Sequence, residues 1–206
     1  FLSIMGPSGA GKTTLLNLLS TLDKPTKGEI ILDGADITRV KNKELSNIRK
    51  EKIGFIFQDY SLLDNMTLMD NIALPLALGR KRTKEIEEKV IKIADVFGLK
   101  DHLKKYPYEL SGGQKQRGAA ARALITEPKV IFADEPTGAL DSKSSIDLLE
   151  CLKKVNEENK ATIIMVTHDA FSASYSNKVY MLSDGEIKCQ LNKGHDRKEF
   201  YSKIID

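Results

Sequence analysis

Cysteine is scarce, long apolar runs are missing and neither sign of charge dominates, and each shortage excludes a class of protein. The two cysteines, Cys151 and Cys189, are isolated and lack metal-ligand spacing, so no disulfide framework is in place. Two reduced thiols in a cytosolic protein are expected. No apolar stretch approaches the roughly 20 residues of a membrane span, and no signal peptide is read, so a membrane role must come through a partner. Lys and Arg total 32 against 29 Asp and Glu, a formal charge of +3, with the signs interspersed except in clusters such as Gly79-Arg80-Lys81-Arg82. That balance does not suggest a nucleic-acid-binding surface. Repeats and low-complexity tracts are absent too, and 206 residues suit one well-buried domain.

What is present is organised around Gly6-Pro7-Ser8-Gly9-Ala10-Gly11-Lys12-Thr13-Thr14, a full match to G-x-x-x-x-G-K-S/T. The apolar Phe1 to Met5 reads as a buried strand before it, and Leu15, Leu16, Leu18, Leu19 and Leu22 continue it as a helix. Glycines at 6, 9 and 11 let the backbone turn N–H groups around an anion, and the helix start adds roughly half a positive charge. Lys12 is then in reach of terminal phosphates, and the Thr13 hydroxyl suits Mg²⁺, a hard cation that prefers oxygen. The chain opens inside a strand, which predicts residues upstream of Phe1.

Further along, residues 29–34 read as a strand ending at an Asp-Gly turn, residues 38–50 as a charged helical link, and residues 52–58 as an apolar strand closed by Gln58. From Asp59 the texture is helical, with a break or kink expected at Pro75 and a helix through Ile86, Val90, Ile93 and Phe97 capped by Gly98. Strands resume at residues 130–133 and 162–166, with a helix between them over 144–157. Such apolar strands separated by helices argue for a parallel sheet covered on both faces. Residues 179–182 and 186–188 form a closing hairpin, and a short amphipathic helix carrying Phe200, Tyr201 and Ile204 ends the chain.

Polar residues collect where these strands end. Asp134 and Glu135 follow the strand from Val130, at the sheet edge where ligands of open α/β sheets bind. Asp134 would face the cation, while Glu135, one residue further out, is free to polarise an attacking water. His168 and Gln58 close two other strands and offer a donor to a phosphate oxygen and an amide for Mg²⁺ or water. Ser111, before Gly112, Gly113 and Gln114, is a helix N-cap type. It either caps that helix or binds a phosphate held by another subunit.

These residues stand in the order of the Walker A, Q-loop, signature, Walker B, D-loop and H-loop motifs: Gly6 to Thr14, Gln58, Leu110 to Gln114, Val130 to Glu135, Gly138 to Asp141, and His168. Over nearly its whole length the chain resembles the ATPases of ATP-binding cassette transporters. The resemblance implies an α/β fold: a P-loop NTPase core with a mostly parallel sheet over residues 1–58 and 124–206, an inserted α-helical subdomain over 59–123, and a partial antiparallel β subdomain. It implies ATP and Mg²⁺ as cofactors, with nucleotide contacts from residues 6–14, Ser111, Gly112, Gly113, Gln114 and Asp141. It further implies catalysis by Glu135, His168, Gln58 and Lys12, and metal contacts from Thr13, Gln58 and Asp134. Two copies would sandwich two ATP beneath a membrane permease, at the cytoplasmic face of the membrane. Ala133 to Asp141 is similar to the branch that drives lipoprotein release, macrolide export and peptide-antibiotic resistance, and residues 111–123, 141–144 and the terminal helix are most similar to bacitracin-type exporters. A cassette ATPase acting on nucleic acid is the rival, although the coiled-coil insertion, zinc cysteines or second cassette usual there are not found. Two departures stand out. The aromatic residue that stacks on adenine in the family would lie upstream of Phe1, and Gly118 replaces a usual apolar side chain at roughly 1 kcal/mol of helix propensity relative to Ala.

Overall fold

The apolar runs pair side by side. In the computed structural model, which describes residues 1–79 and 82–206, the elements are β1 (Leu2–Met5), α1 (Lys12–Leu19), β2 (Ile31–Leu32), β3 (Ala35–Asp36), α2 (Asn42–Lys52), β4 (Ile53–Ile56), α3 (Leu68–Ala77), α4 (Thr83–Val96), α5 (Gly112–Leu124), β5 (Val130–Asp134), α6 (Ser142–Asn159), β6 (Thr162–Thr167), α7 (Ala170–Ala173), β7 (Lys178–Ser183), β8 (Glu186–Asn192) and α8 (Arg197–Ile205). The main sheet runs β4-β5-β6-β1-β7-β8, parallel throughout except for β8. Hence all the strands from β4 to β7 end at one edge. Arg80 and Lys81 of the basic cluster lie outside the described residues.

Helices cover both faces, and the pleat divides the strand side chains between them. Ile131 and Ile163 point into one apolar cluster, which also takes Leu68, Ile72 and Leu76 of α3, Val90 and Ala94 of α4, and Leu148, Leu149 and Leu152 of α6. Phe132 and Val166, on the opposite pleat of the same strands, join Leu16 of α1 and Ile4 in the other. The helices between β4 and β5 therefore share a continuous core with the sheet.

Several local expectations are corrected. Helix α3 does not break at Pro75 but runs to Ala77, because the proline sits in the last turn, where a missing N–H costs one bond. The strand expected over 29–34 shrinks to the two-residue β2, since Asp33 and Gly34 turn the chain straight into β3. Tyr201 faces outward, and α8 buries Phe200 and Ile204. Helix α7 had no sequence signal. Gly118 has a packing reason: a Cβ there would lie 2.6 Å from Cδ1 of the fully buried Leu68, so the glycine lets α3 close on α5.

Gly54 plays the matching part for α5 against β4, where a Cβ would collide with the Ala123 carbonyl oxygen, a backbone atom with no easy way to move. Gly54→Ala should destabilise the fold by about 1–3 kcal/mol. Gly194→Ala, where nothing lies within 4 Å of the added carbon, should change stability by less than about 0.5 kcal/mol. Denaturant unfolding midpoints of the two variants make the comparison.

Candidate functional site

Residues 6–11 leave β1 and turn into α1 across the carboxyl edge of the sheet. Gly6 is pressed so closely on β7 that any Cβ would collide with the Leu182 carbonyl oxygen, and Gly9 and Gly11 take left-handed φ values of 80° and 95° that only glycine adopts freely. Ala10 is buried, and its carbonyl accepts the Gly185 N–H at 3.2 Å, while Ser8 and Gly9 remain exposed. No side chain caps α1. Helices α2 and α4 lack such a cap too, but only at α1 do the free leading N–H groups follow the glycine loop, where they suit an anion. Lys12 is only 8% exposed, and its Nζ donates to the carbonyls of Gly6 (2.8 Å) and Pro7 (2.9 Å), with no carboxylate in salt-bridge contact among the described residues. A buried cation held by two neutral acceptors fits an anionic ligand.

Opposite the loop, the Thr13 hydroxyl donates to Asp134 Oδ1 at 3.3 Å. Burial raises the Asp134 carboxyl above its ordinary range, the Thr13 hydrogen bond partly offsets this, and the neighbouring Glu135 charge adds to the rise. A hydroxyl and a carboxylate side by side are hard oxygen donors, the kind a small divalent cation that keeps its waters would use. Among the described residues no group of three or more His, Cys, Asp and Glu side chains could hold a metal by itself.

Glu135 follows with φ +44°, unusual for a side chain with a Cβ. Its N–H donates to the Val166 carbonyl (3.0 Å), which extends the β5–β6 pairing by one residue and lays its carboxylate beside His168. His168 Nδ1 lies 3.0 Å from Oε1 and 2.8 Å from Oε2. With Nδ1–H donating to the carboxylate, Nε2 is the ring atom left for another partner, and the ring is 67% exposed. Glu135 keeps further lone pairs with which to accept a proton from water.

The remaining candidates have partners within the chain. The Gln58 amide lies over Gly138, its Nε2 3.3 Å from where a Cβ would be, and among the described residues no hydrogen bond joins it to Thr13 or Asp134. Asp141, expected at the nucleotide, turns both carboxylate oxygens onto Ser144 of α6, at 2.9 and 2.7 Å, and acts as a helix cap. Ser111 and Gln114 form a reciprocal capping box, and Gln114 Nε2 also reaches His102 Nε2 at 3.0 Å. Gly112 and Gly113 do more than bare N–H groups, because Cβ atoms there would crowd Tyr60 Oη and Ser144 Oγ. No hydrogen bond joins residues 111–114 to residues 6–14 among the described residues.

Two residues escaped the sequence reading. Gln116 is fully buried, and its amide donates to the Phe57 (3.1 Å) and Pro136 (2.8 Å) carbonyls, tying the segment after β4 to the turn after Glu135. Its place one helical turn before the buried Ala119 and Ala120 was the available signal. Arg122 donates to the carbonyls of Tyr60 and Ser61, two consecutive residues with φ of 65° and 47°.

Residues 1–138 match the protein family described as ABC transporter. The bacitracin export ATP-binding protein BceA of Halalkalibacterium halodurans is 53% identical over 205 residues, covering 100% of this chain and 81% of that protein. The lipoprotein-releasing system ATP-binding protein LolD 1 of Chlorobium chlorochromatii is 44% identical over 188 residues, covering 91% and 76% respectively. Among solved structures, the dimeric post-hydrolysis state of the cassette MJ0796 of Methanocaldococcus jannaschii, bound to ADP and Pi, superimposes with a TM-score of 0.86 at 41% identity, over 94% of this chain and 86% of that one.

The raised Asp134 carboxyl has a consequence for stability. The native state holds this proton more tightly than the unfolded chain, so stability falls as pH rises from the ordinary aspartate value, about 3.9, through the raised one. Asp134→Asn removes that cost and should raise the nucleotide-free unfolding temperature at neutral pH, with the gain shrinking as the pH falls through the raised pKa. Thermal unfolding across that range checks the sign.

Proposed function

The chain belongs to the ATP-binding cassette transporter family and is an ATPase, and on that premise we propose that it powers export of antimicrobial peptides through a separate membrane permease. The observation that carries the cargo is the 53% identity to a bacitracin export ATP-binding protein, which spans this whole chain. Two copies act head to tail at the cytoplasmic face of the membrane, each ATP lying between residues 6–14 of one copy and Ser111 to Gln114 of the other. The dimeric, ADP-bound relative supports this arrangement. So does the use of two separate helix starts, α1 and α5, that make no hydrogen bond to each other. Within each copy residues 59–123 form a helical subdomain on a core of residues 1–58 and 124–206.

In this reading the loop and the start of α1 wrap the phosphates, and Lys12 exchanges the Gly6 and Pro7 carbonyls for phosphate oxygens, where its charge meets the negative charge on the γ-phosphoryl group. Thr13 and Asp134 hold Mg²⁺, which supplies further charge neutralisation on the phosphates. Glu135 accepts the proton of the attacking water, and His168, hydrogen-bonded to that carboxylate, orients it. Gln58, beside the turn that follows Glu135, lines the same space.

Similarity to a lipoprotein-releasing relative favours a second reading, lipoprotein release, and macrolide export belongs to the same branch. Deleting the gene in its own host separates the three. Sensitivity to bacitracin-like or lantibiotic peptides with unchanged macrolide sensitivity is the expected outcome. Macrolide sensitivity alone, or mislocalised lipoproteins, would transfer the protein to a sister function.

A further inference from the structure

Glu135 and His168 come from different loops, and Glu135 sits on a left-handed backbone. Single residues of that kind persist where the surroundings over-determine them. The turn that holds Glu135 is closed by Gly138 N–H on the Glu135 carbonyl (3.0 Å) and anchored from α5 by Gln116 on the Pro136 carbonyl (2.8 Å). Neither bond reaches the segment that carries His168. The Glu135 N–H on the Val166 carbonyl joins it before the histidine, and one side-chain bond joins it after. Thr137 Oγ1 lies 2.9 Å from Ser172 Oγ in α7, with Thr137 8% and Ser172 0% exposed.

The direction of this bond follows from its neighbours. Ser172 Oγ gives its proton to Asp169 Oδ2 (2.6 Å), so Thr137 must be the donor to Ser172. Asp169 also accepts the N–H groups of Phe171 (3.1 Å) and Ser172 (2.9 Å), and its own N–H donates to the buried Thr167 Oγ1 at 3.0 Å. The residue next to His168 is thereby locked on both sides. On the far side of α7, the Arg197 guanidinium lies 5.2 Å from the Phe171 ring centroid and 4.4 Å from that of Tyr175, and α8 holds the helix down. Beyond the backbone bond at Val166, the turn carrying Glu135 is thus tied by a buried hydroxyl pair to a fixed mount for His168.

We propose that Thr137 and Ser172 are positioning residues for hydrolysis, a two-hydroxyl bridge that keeps the Glu135 carboxylate within hydrogen-bonding distance of His168. The proposal rests on the catalytic reading of those two residues. Both hydroxyl residues are buried and lie outside the residues assigned to the nucleotide, so their loss is felt in turnover and not in ATP binding.

The test is steady-state ATP hydrolysis by the full chain carrying Thr137→Val, Thr137→Ser, Ser172→Ala or the double change Thr137→Val with Ser172→Ala. Thr137→Val is isosteric and replaces only the hydroxyl, which here serves as the donor, by a methyl group. Each single loss should lower kcat about tenfold, equivalent to about 1.4 kcal/mol, with KM for ATP within about twofold. The double variant should be no slower than the slower single one, since both break the same bond, and Thr137→Ser should retain most of the native kcat. Native turnover in Thr137→Val, a loss in Thr137→Ser equal to that in Thr137→Val, or additive losses in the double variant would overturn the bridge. Glu135→Gln in the same assay separates the two levels. If it alone stays active, the reading of Glu135 has failed and takes the bridge with it; if it is inactive while Thr137→Val is native, only the bridge has failed.

Discussion

The register of three central strands is the constraint on which the rest depends. Met5 at the end of β1 pairs with Thr167 of β6, and Asp134 at the end of β5 pairs with Val166. Gly6, Asp134 and His168 each stand within one residue of that shared boundary, so three loops distant in sequence open at one place. A slip of one residue would turn every side chain of the strand to the other face, and the two apolar clusters forbid it. Ile131 and Phe132 are buried in opposite clusters, as Ile163 and Val166 are. Core packing thus positions the site without any of its polar groups contributing to the core.

Close backbone approach is the second constraint. The phosphate loop lies on β7 through Gly6, and α5 meets β4 through Gly54, α3 through Gly118 and α6 through Gly113. Together these contacts set the start of α5, with Ser111 at its cap, beside the helices that frame the sheet. Polar groups then bind the loops: Gln116 joins the ends of β4 and β5, and Arg122 holds the left-handed pair Tyr60 and Ser61. Asp134 shows the opposite balance, a carboxyl whose burial outweighs the Thr13 hydrogen bond and the Lys12 charge.

Much of this was legible in the sequence because the informative patterns are local. The phosphate loop is contiguous, its glycines are required by its own backbone, and the apolar runs announce the strands whose ends carry Asp134, Glu135 and His168. The contacts of Thr13 with Asp134 and of Glu135 with His168 follow from a parallel order of those strands. What was not legible depends on partners far away in the chain. Gln116 looks like one more polar residue of a charged helix until Pro136 and Phe57 arrive beside it. Thr137 and Ser172 are 35 residues apart, and the four-residue α7 is too short to show a period. Asp141 carries a second role that the sequence did not separate from the first: an acid before a helix serves equally as a cap or a ligand, and here Ser144 engages both oxygens. Gly118 read as a loss of helix propensity because Leu68, its reason, sits on another helix.

The central claim is that the loop of one copy and the Ser111 helix of another complete a single ATP site. Size-exclusion chromatography with light scattering on Glu135→Gln, which keeps the shape of the side chain but cannot accept the water's proton, tests it most directly. The account predicts a dimer with Mg-ATP, a monomer without it, and a monomer under both conditions once Ser111→Arg is added. A Glu135→Gln protein that binds ATP yet stays monomeric at saturation, or a dimer untouched by Ser111→Arg, would contradict it.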